Sequence, residues 1–151
     1  MYQLSPDLPD KQDHNTQIVN FLAYSPIVYG FIILVGELII QPIPVEENNF
    51  LYNLPYIFAI VLLVDVSLIE KYFMPYILNS TNKNRLYRGS IYTLLITNTI
   101  GIYGLIIGLV DIFILGITPR WPLVTSFLLV SIMYAYYIKQ TKIIPRLSYL
   151  N

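Results

Sequence analysis

Four long apolar runs constrain this chain more than any other feature. They cover about residues 17 to 41, 55 to 77, 89 to 117 and 121 to 139. Each meets the roughly 20-residue length that an α-helix needs to cross about 30 Å of hydrocarbon at about 1.5 Å per residue. Lipid offers no water to satisfy backbone amides, so such runs have to close their hydrogen bonds within themselves. The expected fold is therefore all-α: a polytopic integral membrane protein with four transmembrane helices in a bundle. A polar N-terminal tail (1–16) precedes this domain (17–139), and a basic C-terminal tail (140–151) follows it. Composition agrees, since 12% of the 151 residues are charged, against about 25% in soluble domains.

The separators QPIPVEENNFLYNL, NSTNKNRLYR and TPRWP break the runs cleanly. Pro42, Pro44, Pro55, Pro119 and Pro122 lie at these junctions, where a missing amide donor does little harm. Pro26 and Pro75 fall inside apolar runs, and each predicts a kink or an early end. The third run is longer than a crossing requires and should tilt or project past the surface. The opening MYQLSPDLPDKQDHNTQ lacks the basic start, apolar centre and cleavage site of a signal peptide, so the first helix is expected to remain as an anchor.

With four spans, both termini and the middle loop share one side. That side carries Lys11, Lys83, Arg85, Arg88, Lys139, Lys142 and Arg146, with Lys71 near it, whereas the other carries Arg120, Glu46 and Glu47. The asymmetry places both termini in the cytoplasm or its equivalent. The acceptor-like tripeptide Asn79-Ser80-Thr81 falls on that same side and is discounted for N-glycosylation. Trp121 and tyrosines near the span ends, such as Tyr24, Tyr52, Tyr56 and Tyr76, suit interfacial anchoring.

Function classes narrow by elimination. The chain has no Cys and a single histidine, His14, in its polar N-terminal segment. Thiolate sites are excluded, and neither a protein-ligated haem nor a histidine metal cluster is expected, so no cofactor is assigned. Zero net charge gives no sign of nucleic-acid binding. The acids of the spans sit at different depths without His or Cys beside them, which argues against catalysis.

The third span holds the most telling pattern. Thr97, Gly101, Gly104, Gly108 and Asp111 follow steps of 4, 3, 4 and 3 residues, one face of a helix. Ser90 and Thr93 extend it, and the first span echoes it with Ala23, Pro26, Gly30 and Glu37. In lipid, close backbone approach through small residues is a main source of packing energy between helices. These faces are expected to touch protein, either as internal seams of the bundle or as docking sites for another subunit. The run GIYGLIIGL within this span resembles the end of the second helix in the rotor-ring proteolipids of vacuolar and archaeal ATP synthases. Asn98 stands where their ion-carrying Glu would be, and their glycine-dense first helix is missing, so no rotor function is inferred.

Intramembrane carboxylates are by default functional candidates. Asp65 is placed near mid-depth at the level of Thr97 and Asn98, Glu70 nearer the cytoplasmic side beside Lys71, and Glu37 and Asp111 in the outer third near Arg120. Asp65 can lower its cost by hydrogen-bonding to Asn or Thr or by taking a proton. Two readings follow. One is a non-catalytic accessory subunit of a multi-subunit membrane complex, energy-converting or respiratory, with other integral membrane subunits as partners. The alternative is a proton or small-ion pathway through Asp65, Asn98, Glu37, Glu70 and Asp111, built by a homo-oligomer or with partners. The expected location is a prokaryotic plasma membrane or an organellar inner membrane.

Overall fold

The computed structural model describes residues 9–40 and 49–150, with side chains from residue 15 onward in the first segment. Glu46 and Glu47 and the side chains of Lys11 and His14 lie outside the described residues. The elements are α1 (Pro9–Ile39), a short α2 (Asn49–Tyr52), α3 (Leu54–Leu68), a π turn at Ile69–Phe73, α4 (Met74–Leu78), α5 (Lys83–Phe113), α6 (Trp121–Ile138), a second π turn at Lys139–Ile143 and α7 (Ile144–Tyr149). No strand occurs among the described residues. Three stretches are long and apolar enough to cross a membrane: Asn15–Ile39, Lys83–Phe113 and Trp121–Tyr149. The helical run 54–78 carries Asp65, Glu70 and Lys71 and is not among the three.

Several boundaries differ from the sequence expectation for physical reasons. The third helix begins at Lys83, not near 89, because the Asn82 side chain accepts a 2.8 Å bond from the Arg85 amide and caps the first turn. It ends at Phe113, not near 117, where Gly116 takes a left-handed φ of 59° that closes the chain back on the helix. The Ile117 amide donates to the Asp111 carbonyl at 2.9 Å across this turn. At the N-terminus, helix already runs from Pro9 through the predicted tail. At the C-terminus, helix continues to Tyr149 where a tail from 140 was expected.

The internal prolines behave differently from one another. α1 continues through Pro26. Pro75 and Pro145 each follow a π turn by two residues, and the Met74 and Ile144 amides reach back five residues to the Ile69 and Lys139 carbonyls. A proline ring clashes with the carbonyl four residues before it, and the widened turn moves that carbonyl aside. The helices therefore run past these prolines and do not stop at them.

α5 is the centre of the assembly. Half of its most apolar stretch is buried, against a third in the other two long helices. It packs on both α1 and α6, which also meet each other, and α3 and α4 lie along it. One core gathers Val19, Leu22, Ala23, Ile69, Leu94, Ala135 and Ile138 towards one end of the bundle. A second gathers Ile33, Ile100, Ile107, Val124, Phe127 and Leu128 towards the other. The outward faces stay apolar, with Phe21, Phe31 and Leu38 of α1, Ile60 and Leu63 of α3, and Met133 of α6 exposed, as a lipid-facing surface requires.

Candidate functional site

The small-residue stripe of α5 fills the groove between α1 and α6. A methyl group added at Gly101 would stand 3.0 Å from Pro26 Cγ and 3.2 Å from Ser131 Oγ. At Gly104 it would stand 3.1 Å from the Val124 carbonyl oxygen, and at Gly108 within 2.7–2.9 Å of three Ile33 side-chain atoms. One face of α5 thus serves two neighbours alternately. Gly30 faces Leu128 across the α1–α6 contact, and Ala23 is buried in the first core. The contacts described for these glycines are all with other helices of the same chain.

A polar layer lies between the two cores. Asn98 Oδ1 accepts a 2.8 Å bond from Ser25 Oγ, and Asn98 Nδ2 donates to Tyr29 Oη at 3.0 Å, joining α5 to α1. Ser131 Oγ donates to the Thr97 carbonyl at 2.9 Å, joining α6 to α5. The Thr97 hydroxyl itself is spent on the Thr93 carbonyl one turn earlier, as are those of Thr93 and Ser90 on Gly89 and Leu86. Interhelical hydrogen bonds in membranes average about 0.6 kcal/mol and reach about 1.7. Replacing Asn98 by Ala removes two of them and is expected to lower stability by about 1–2 kcal/mol, read as a shifted midpoint of unfolding in mixed micelles.

Asp65 belongs to this layer but not with the partners depth alone suggested. Its Oδ2 accepts from Tyr103 Oη at 2.6 Å, and Thr99 Oγ lies 3.2 Å from the same oxygen while donating to the Ile96 carbonyl at 2.6 Å. Tyr103 is stacked on Phe58 of α3 at 4.8 Å and meets Phe127 of α6 edge-on at 6.4 Å. Asn98 and Thr97 face α1 and α6 instead. On a helix, Thr99 and Tyr103 share a face turned away from the glycine stripe, and that is the face α3 covers.

The other acids are also held individually. Asp111, with a fully buried side chain, takes the backbone amide, Nε and Nη2 of Arg120 at 2.8–3.1 Å. Arg120 Nη1 continues to the Tyr52 carbonyl at 2.8 Å, so one guanidinium links α5, α6 and α2. Glu37 accepts from the Trp121 indole at 3.0 Å, tying the end of α1 to the start of α6. Glu70, which its depth put within reach of the basic middle loop for pairing, accepts instead from Tyr134 Oη at 2.7 Å. Glu70 belongs to the first π turn and Tyr134 to α6. Tyr103, Thr99 and Tyr134 are not legible from the sequence as binding partners, because aromatic and hydroxyl residues are ordinary in such spans.

Among the described residues no three His, Asp or Glu side chains converge, and the acids do not join in one hydrogen-bonded chain. α3 and α6 stand apart over part of their length, leaving an apolar groove of about 400 Å³ lined by Ala59, Leu62, Leu63, Ser126, Phe127 and Val130. Comparison with known protein families, characterised proteins and solved structures gives no match for this chain.

Proposed function

We propose that this chain is a non-catalytic subunit of a larger membrane assembly, crossing the bilayer four times with both termini on the cytoplasmic side. The supporting observation is that each acid described above is held by a group from outside its own helix: Asp65 by Tyr103, Glu70 by Tyr134, Glu37 by Trp121, and Asp111 by Arg120 just ahead of α6. Polar residues used this way fasten helices to one another. The fourth crossing is the run 54–78. Its first end is drawn to the Asp111–Arg120 clamp through Tyr52, and its far end to Arg146, whose Nη2 donates to the Ser80 carbonyl at 2.8 Å. It thus extends between the same two ends as α1, α5 and α6. The basic residues Lys83, Arg85, Arg88, Lys139, Lys142 and Arg146 gather at one of those ends, which is the cytoplasmic one.

An energy-converting complex remains the class of assembly to examine first. Solubilising the native membrane in mild detergent and sizing the protein on a native gel is the test. Co-migration with distinct larger polypeptides is the expected result; a small free species at every detergent concentration would refute the proposal.

The ion-pathway alternative draws on Asp65, which is only half-buried and lies near the centre of its helical run. Under the structural reading, vesicles containing Asp65→Asn show the same proton flux as those with the unaltered chain. Loss of a flux that the unaltered chain supports would favour the alternative.

A further inference from the structure

The structure assigns a binding site for the phosphate headgroup of an anionic phospholipid to the cavity between α4 and the start of α5. The cavity has a volume of about 310 Å³ and is lined by Tyr76, Asn82, Asn84, Arg85 and Arg88. Its wall is firmly built: a methyl group on Gly89 would lie 2.7 Å from the Tyr76 ring, so α4 and α5 meet there in direct contact. The Arg85 guanidinium rests over that ring, 4.8 Å from its centroid, which fixes its position while leaving its N–H donors open. No carboxylate lines the space, and among the described residues the one ion pair is Arg120–Asp111 at the opposite end. Two exposed guanidiniums with donors to spare, and two amide side chains beside them, fit a phosphate oxygen cluster.

The flank of the cavity decides between a lipid and a soluble phosphate. Arg85, Arg88, Tyr92 and Leu95 follow steps of 3, 4 and 3 residues along α5, one continuous stripe. The two arginines stand at the basic end, and Tyr92 and Leu95 continue towards the membrane centre while 57% and 44% exposed. Leu78 adds a further exposed apolar side chain on the α4 side. A ligand with an anionic head and an acyl tail matches both parts of this surface, whereas a free anion leaves the apolar part uncovered. The assignment rests on the membrane reading above and adds to it a discrete lipid site.

The test is native mass spectrometry of the full chain released from micelles containing phosphatidylglycerol and phosphatidylcholine in equal amounts. Arg85→Gln/Arg88→Gln is compared with Lys139→Gln/Lys142→Gln, which removes the same charge elsewhere on that end. One phosphatidylglycerol is expected to stay bound in preference to phosphatidylcholine. The arginine pair of substitutions lowers that occupancy about tenfold more than the lysine pair, because close contact outweighs the diffuse attraction that each surface cation exerts. Equal losses in the two variants, no preference for the anionic lipid, or displacement by inorganic phosphate would each overturn the assignment. Carbonate extraction of the expressing membranes is run alongside. A chain that is extracted refutes membrane insertion itself, whereas a chain that resists extraction yet holds no lipid refutes only the headgroup site.

Discussion

Arg120→Gln is expected to lower the unfolding free energy by about 3–5 kcal/mol, the usual loss when one partner of a buried ion pair is removed. Asp111 has no solvent contact, so it cannot recover in water what the guanidinium supplied. The Arg120 backbone amide, 2.9 Å from Asp111 Oδ2, would be its remaining donor, and one neutral donor does not balance a carboxylate in such surroundings. The Tyr52 carbonyl loses its 2.8 Å bond as well, which loosens the lead-in to α3. Combining Arg120→Gln with Asp111→Asn removes both charges, and the double variant should regain part of the loss. Reversible unfolding in mixed micelles measures all three variants. A loss below about 1 kcal/mol for Arg120→Gln would mean that the pair behaves as a screened surface contact.

The Asp111–Arg120 clamp shows how far sequence reasoning reaches here. Its two residues were legible as neighbours, since Asp111 lies near the end of the third apolar run and Arg120 just beyond it. What was not legible is that the turn, closed by Gly116, folds the Arg120 amide and side chain onto the same carboxylate. The glycine stripe was legible for a similar reason, because helical periodicity alone puts Thr97, Gly101, Gly104 and Gly108 on one face. Whether that face met the same chain or another could not be read, because the answer depends on Pro26, Ile33 and Val124 lying opposite. Asp65 shows the limit most clearly. Counting residues placed it at the right level of α5, but level fixes only one coordinate of a helix surface. The angular one separates Asn98, which faces α1, from Thr99 and Tyr103, which face α3.

Helix ends show the same division. The hydrophobic run alone placed the helix start too late because the first turn of α5 is polar. Pro75 predicted a kink or an early end, and the identical spacing of the π turns before Pro75 and Pro145 explains why the helix continues past both. The extra residue per turn accommodates the ring at both places. This lets α7 continue far enough for Arg146 to reach the Ser80 carbonyl, closing the basic end of the bundle.

Packing and helix propensity make opposite predictions for Gly108, which makes it the sharper test of the seam. Gly108→Ala gains about 1 kcal/mol of intrinsic helix propensity, yet its methyl group would sit within 2.7–2.9 Å of Ile33 Cδ1, Cγ2 and Cγ1. Three atoms of one branched, fully buried side chain cannot all withdraw by rotation, and overpacking of this kind costs about 1–3 kcal/mol. The expected result is a net destabilisation of about 1–2 kcal/mol. Gly36→Ala supplies the contrast. Its methyl group would meet Ile112 Cδ1 at an ordinary 3.5 Å, so the same substitution on α1 should leave stability unchanged or slightly improved. Ile33→Ala alone opens a cavity and costs about 2–5 kcal/mol. In the presence of Gly108→Ala that cost should shrink by about 1–2 kcal/mol, because the new methyl occupies space that Ile33 vacated. Additive losses, or a stabilised Gly108→Ala, would show that α1 and α5 do not approach as closely as the stripe demands. The packing energy assigned to the small residues would then have to come from elsewhere.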